Sequence, residues 1–201
     1  MQARYITIER EYGSGGTEIA ARAARACRIP SYGREIMEQV AEKQHVSVSE
    51  LEQYEESVSG SLIYSCFVMS QSQTGDPDLL SQEAKLYVAE TRVIKALAEN
   101  GPAIFVGHCA CQALQDRDDV LRVYIRADRA AKEKRIAEEY HVPQQEIRAV
   151  SRRADKRRAN YYAFCTRKKW NDLRNYDLVL DSTRLGIDGC AAVLSVLLEK
   201  K

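Results

Sequence analysis

The spacing of apolar and polar positions changes several times along the chain, and each change predicts an element. Tyr5 to Ile8 reads as a short β-rich run, and after Gly13-Ser14-Gly15-Gly16-Thr17 an Ala-rich helical run extends from Glu18 to Cys27. Ile29-Pro30 interrupts it, and helical spacing resumes from Gly33 to Lys43 with Ile36, Met37, Val40 and Ala41 on one side. Ser47 to Glu56 predicts a short acidic helix, with Ser47 as N-cap and Glu50 completing a capping box. Between Ser57 and Gln82 the pattern dissolves into Ser, Gln, Gly and Asp-Pro, and a mobile excursion is expected.

The second half repeats the alternation. Leu86, Ala89, Val93 and Leu97 mark a helix over Glu83 to Asn100, ended by Gly101-Pro102, and Ala103 to Val106 is an apolar run of the kind buried in a parallel sheet. Val120 to Ile125 predicts another strand and Arg129 to Tyr140 a charged helix. A basic helical stretch from Gln144 to about Tyr162 follows, then a strand over Tyr176 to Asp181 and a closing apolar helix over Ile187 to Leu198. Strands alternating with helices imply an α/β fold of three layers, α/β/α, around a parallel sheet.

Composition narrows the function. With 201 residues and 45% hydrophobic content the chain suits one α/β domain, read here as 1–201. Lys and Arg total 30 against 29 for Asp and Glu, so net charge argues against a nucleic-acid partner, and any attraction to anions must be local. No apolar run is long enough for a membrane span and Met1 to Ile8 has no signal-peptide pattern, so a cytoplasmic protein is expected with no membrane partner; a homo-oligomer is left open. The six cysteines, Cys27, Cys66, Cys109, Cys111, Cys165 and Cys190, are read as free thiols, mostly buried.

The glycine-rich turn carries the first chemical signal. Between a strand and a helix, the amides of Gly13, Ser14, Gly15, Gly16 and Thr17 can hold a phosphate at the positive end of the helix dipole, although a tight turn needs glycine for geometry alone. Against the usual Gly-x-x-x-x-Gly-Lys-Ser/Thr pattern, Gly16 stands where the lysine would be and Thr17 where the magnesium-binding hydroxyl would be. Arg10 is the nearest cation that could replace the lysine.

Ile8 to Ala20, Ile29 to Ile36, Asp155 to Tyr162 and Tyr176 to Ile187, together with Ile104-Phe105-Val106-Gly107, resemble in this order the cytidylate kinase-like family of P-loop nucleoside monophosphate kinases. The resemblance implies a P-loop kinase with an acceptor-side helical insert over 30–82 and a helical lid over about 144–170, using ATP and Mg2+. It places Arg34 on the acceptor's phosphate and the loop Gly107-His108-Cys109-Ala110-Cys111 beside the acceptor, where the family usually has Gly-Arg-Cys-Ala-Asp. His108 is therefore an acceptor-site candidate in place of an arginine. A zinc site at His108, Cys109 and Cys111 is disfavoured because a second ligand pair is missing from the pattern.

The basic stretch reads as a solvated helix face, a nucleic-acid patch or a lid, and the lid accounts for it most economically. Asp155 followed three positions later by Arg158 matches the lid spacing of these kinases, so Arg158, Arg157 and Arg153 are the expected ligands of transferring charge, with Arg135 a further substrate-binding candidate. Asp181 ends a strand where a ligand crevice would lie, or simply caps its own turn. The implied activity is phosphoryl transfer from ATP to a nucleoside monophosphate, CMP or dCMP. The alternatives are nucleotide binding with little turnover, or a different small-molecule acceptor.

Overall fold

The computed structural model describes residues 3–57 and 81–198. Five parallel strands form one sheet: β1 (Tyr5–Arg10), β2 (Ser31–Tyr32), β3 (Ala103–Val106), β4 (Val120–Arg126) and β5 (Leu178–Asp181), in the order β2-β3-β1-β4-β5. The central strand β1 pairs through Ile6 with Ile104 on one side and Leu121 on the other, so neither of its edges is open. The helices are α1 (Gly16–Cys27), α2 (Arg34–Gln44), α3 (Val48–Ser57), α4 (Gln82–Glu99), the single turn α5 (Ala110–Ala113), α6 (Arg129–Glu139), α7 (Ile147–Thr166) and α8 (Ser182–Leu197).

Two apolar layers cover the sheet. On one face Ile19, Ala20, Ala23 and Ala24 of α1 meet Ile6, Ile8, Val123 and Ile125, with Cys190, Ala191 and Leu194 of α8 alongside. Alanine at the contact lets α1 lie close to the strands. On the other face Ile36, Met37 and Val40 of α2, Leu51 of α3 and Leu86, Val93 and Ile94 of α4 pack on Tyr5 and Phe105. A third cluster joins Tyr161, Tyr162, Phe164 and Cys165 of α7 to Tyr124, Trp170 and Tyr176, so the base of α7 is anchored in aromatic packing.

Most predicted boundaries lie within a few residues of the observed ones, and the capping box is present: Ser47 Oγ accepts from Glu50 N at 3.2 Å while Glu50 Oε2 accepts from Ser47 N at 3.0 Å. Four differences have physical causes. Strand β2 has only two residues, too short to show a period. The turn α5 packs Ala110 and Ala113 but, at 4 residues, is likewise too short to show a period. Helix α7 starts at Ile147, after the 140–146 segment containing Pro143, and runs to Thr166 because its aromatic end is buried. The last helix begins at Ser182 rather than Ile187, with a break at Gly186 (φ 69°, ψ 172°) that divides its apolar pattern. The expected excursion between Ser57 and Gln82, apart from its ends, and Cys66 lie outside the described residues. Cys27, Cys109, Cys111, Cys165 and Cys190 are free and buried, as expected.

Candidate active site

The C-terminal ends of β1 and β3 meet where successive connections leave to opposite sides of the sheet, the usual place for a ligand crevice in such folds. The chain leaves β1 through Arg10, turns through Gly13 (φ 77°) and Gly15 (φ 78°), and enters α1 at Gly16. These left-handed glycines bend the loop back over the first turn of the helix. A side chain at Gly13 would also meet Ile136 Cγ1 at 2.8 Å. No side chain caps α1, so its first amides point outward from the loop, a cradle suited to phosphate oxygens. Thr17, in that first turn, is exposed, with its hydroxyl available to a cation bound with the phosphates.

Ser14 is fully buried, and Ser182 Oγ donates to its carbonyl at 2.7 Å, pinning the loop to the start of α8. Arg135 Nη1 donates to Gly13 O at 2.6 Å, and Arg135 Nε is 3.5 Å from Glu139. Arg135 therefore braces the glycine loop and is not among the residues lining the cleft between Arg34 and Arg158.

Arg10 runs across the loop. Its Cβ and Cγ lie over Gly16 and its guanidinium lies against Gly107. Arg10 Nε is buried with no hydrogen-bond partner among the described residues. Burial, reinforced by repulsion from Arg158, pulls its pKa down to about 10, so it is a cation held at a cost that an anion would relieve. Arg158 Nη1 donates to Arg10 O at 3.0 Å and lies 3.7 Å from Asp155. Asp155 Oδ1 in turn accepts from Tyr12 N at 2.7 Å, so the Asp155 and Arg158 pair fastens α7 to the start of the glycine loop. Burial raises the Asp155 carboxyl despite those partners.

Beside this junction a cleft of about 230 Å³ opens between α2, α3, the 107–111 loop and α7. Its cations are Arg10, Arg34, Arg157 and Arg158; His108 also lines it, and Met37 adds an apolar contact. Glu52 and Glu55 of α3 also face it. Arg34 is largely exposed, 3.2 Å from Glu38. Arg153 is not in this cleft: with Tyr12 and Lys156 it lines a neighbouring hollow of about 490 Å³ along α7, which Arg157 shares.

His108 and Cys109 both adopt left-handed backbone (φ 53° and 49°), turning the imidazole towards α4. There His108 Nδ1 donates to Glu90 Oε1 at 2.7 Å, and Tyr161 OH donates to Glu90 Oε2. Burial works against the imidazolium, but Glu90, with Glu55 further away, raises the His108 pKa above its ordinary value. Cys109 and Cys111 instead turn into the aromatic cluster, where burial pushes the Cys111 thiol up to about 12.

Sequence reasoning missed Glu90, Glu52, Glu55 and the role of Met37. For Glu90 a signal existed: it occupies the apolar stripe of α4, one turn after Leu86 and one before Val93 and Ile94. Asp181, in contrast, takes the turn role, accepting from Thr183 N at 3.0 Å and lying 3.3 Å from Arg126.

Comparisons place the chain among known proteins. An uncharacterized protein from Eubacterium ventriosum is 22% identical, with 98% of this chain and 99% of that one covered and a TM-score of 0.71. TT1252 from Thermus thermophilus is 18% identical, covering 98% and 97%, at a TM-score of 0.55. Shikimate kinase from Bacteroides thetaiotaomicron is 14% identical, covering 96% and 97%, at 0.54. These likenesses show the fold, a three-layer α/β/α kinase architecture. No curated protein matches the chain. Among the described residues no helix is long and apolar enough to cross a membrane. The profile of the cytidylate kinase-like family matches residues 5–184, nearly the whole sequence, and the chain therefore belongs to the cytidylate kinase-like family.

Proposed function

We propose that this protein transfers the γ-phosphoryl group of ATP to a nucleoside monophosphate, CMP or dCMP, in the cytosol. The observation that carries the reading is the cleft itself, where Arg10, Arg34, Arg157 and Arg158 converge next to the glycine loop. The amides of Gly13 to Thr17 hold the donor phosphates, and Thr17 helps hold magnesium, which would neutralise charge on those phosphates. Arg34 takes the acceptor phosphate from the α2 side. Arg157 and Arg158 stabilise the transferring group from α7, and Arg153 meets the donor from the adjoining hollow.

Met37 offers an apolar contact to the base, and the carboxylates of Glu52 and Glu55 offer acceptors for an amino-bearing edge such as that of cytosine. An anionic acceptor phosphate needs no base to activate it. Arg10, by its burial and its contact with both Gly16 and Gly107, takes the part of the missing lysine.

A second reading rests on Glu55. Burial raises its carboxyl, and it faces the same cleft, so it could accept the proton of a hydroxyl acceptor. A coupled ADP-release assay with ATP, magnesium, nucleoside monophosphates and small hydroxy acids or sugars separates the two. CMP- or dCMP-stimulated release is the expected result. Release only with hydroxyl acceptors would replace it with the second reading, and ATP binding without release under any acceptor would overturn both.

A further inference from the structure

Glu90 is a carboxylate with no exposed surface in a helix stripe otherwise made of Leu86, Val93 and Ile94. Isolating such a charge from water is costly unless a counter-charge and hydrogen bonds accompany it. Here one oxygen takes the Nδ1 proton of His108 at 2.7 Å and the other takes the hydroxyl proton of Tyr161. Three separate elements thus meet on one buried group: α4, the turn after β3, and α7.

We propose that Glu90 is a positioning residue that holds His108 as an imidazolium facing the acceptor and, through Tyr161, sets the rotation of α7 that directs Arg157 and Arg158 into the same cleft. With Nδ1 committed to Glu90, the Nε2 edge is the one left for the cleft that His108 lines. Tyr161 lies three and four positions after Arg158 and Arg157, on the same side of α7, so a bond at Tyr161 restrains both arginines. The proposal rests on the reading of this cleft as the acceptor site.

The charged groups around His108 pull in both directions, with burial against the cation and the net direction upward. Glu90 from α4 and Glu55 from α3 favour the cation, while Arg10 from β1 opposes it. Glu9 of β1 also interacts with it, and Arg157 and Arg158 of α7 share its cleft. Acceptor affinity should accordingly weaken as pH rises through the raised His108 value, when the imidazolium loses its second proton.

The test uses the full chain, which has three histidines, so that imidazole NMR can follow each one, with His108 assigned through His108→Gln. In Glu90→Gln, which keeps size and hydrogen bonding but not charge, His108 should titrate lower than in the wild type, and the acceptor KM at neutral pH should rise roughly tenfold. Tyr161→Phe keeps the charge pair, so the His108 titration should stay raised while the acceptor KM still rises several-fold. A His108 titration unchanged in Glu90→Gln would overturn the proposal, as would an acceptor KM unchanged in both variants. The NMR arm needs no substrate, so a lack of CMP turnover would refute the acceptor assignment while the titration still decides the state of His108.

Discussion

Arg10 and Gly16 are packed so closely that a Cβ on the glycine would lie 2.6 Å from the Cβ of the arginine. Glycine at the position of the usual lysine is therefore imposed by the neighbour that lies across it. Putting the lysine back should harm the protein: Gly16→Lys is expected to cost about 1–3 kcal/mol through overpacking and to give no gain in kcat. Adding Arg10→Gly, which removes that Cβ, to Gly16→Lys should recover part of the overpacking loss in melting temperature without restoring wild-type turnover. A single Gly16→Lys variant with raised kcat would show that Arg10 does not fill the lysine's place.

Arg158 of α7 reaches the strand end before the glycine loop, 3.0 Å from Arg10 O and 3.7 Å from Asp155. In the proposed reaction it meets charge that grows on the transferring group. Arg158→Ala should lower kcat by on the order of 10²-fold or more with a small change in the KM for ATP. Arg158→Lys should rescue little, since an ammonium cannot present the planar fork. Steady-state kinetics with both variants decides this, and a loss confined to KM would assign Arg158 to ground-state binding instead.

Asp155 accepts the Tyr12 amide at 2.7 Å, so its removal leaves a donor without its partner at the mouth of the glycine loop. Asp155→Ala should destabilise by about 1–3 kcal/mol, whereas Asp155→Asn, which keeps an acceptor oxygen, should retain most of the stability. Urea unfolding of the two variants reads the difference directly. Equal losses would mean that the carboxylate's charge near Arg158, rather than the bond to Tyr12, holds α7 in place.

How far the sequence discloses this arrangement depends on the range of the interactions concerned. The glycine loop, the capping box at Ser47 and the strand–helix alternation are local, written in neighbouring residues, and they were legible. The family resemblance likewise located Arg34, His108 and Arg158 around one cleft. The bond from Arg135 to the Gly13 carbonyl is not legible in the sequence, because no spacing rule encodes a backbone partner 122 positions away. Glu90 is obscured because its hydrogen-bond partners His108 and Tyr161 arrive from 18 and 71 positions away. Its single local trace was a charge on an apolar stripe.

Glu9 presents a similar buried carboxylate with a different partner: its Oε2 accepts from Trp170 Nε1 at 3.0 Å, in a residue only 6% exposed. Burial raises its pKa above the ordinary 4.5, outweighing Arg10, Trp170, Arg158 and His108, which pull it down. Between the unfolded and the raised folded value the native state holds more protons at this group than the unfolded state does. Its contribution to stability is therefore greatest below the ordinary carboxylate value and is lost as pH rises through the folded value. Glu9→Gln cannot ionise, yet its amide oxygen can still accept from Trp170. The variant should thus match the wild type near pH 4 and become the more stable of the two towards pH 8, by an amount that grows until the pH passes the raised folded value. Chemical denaturation at both pH values checks this. A variant less stable at pH 8 would mean that the ionised carboxylate, through Arg10, contributes more than its burial costs.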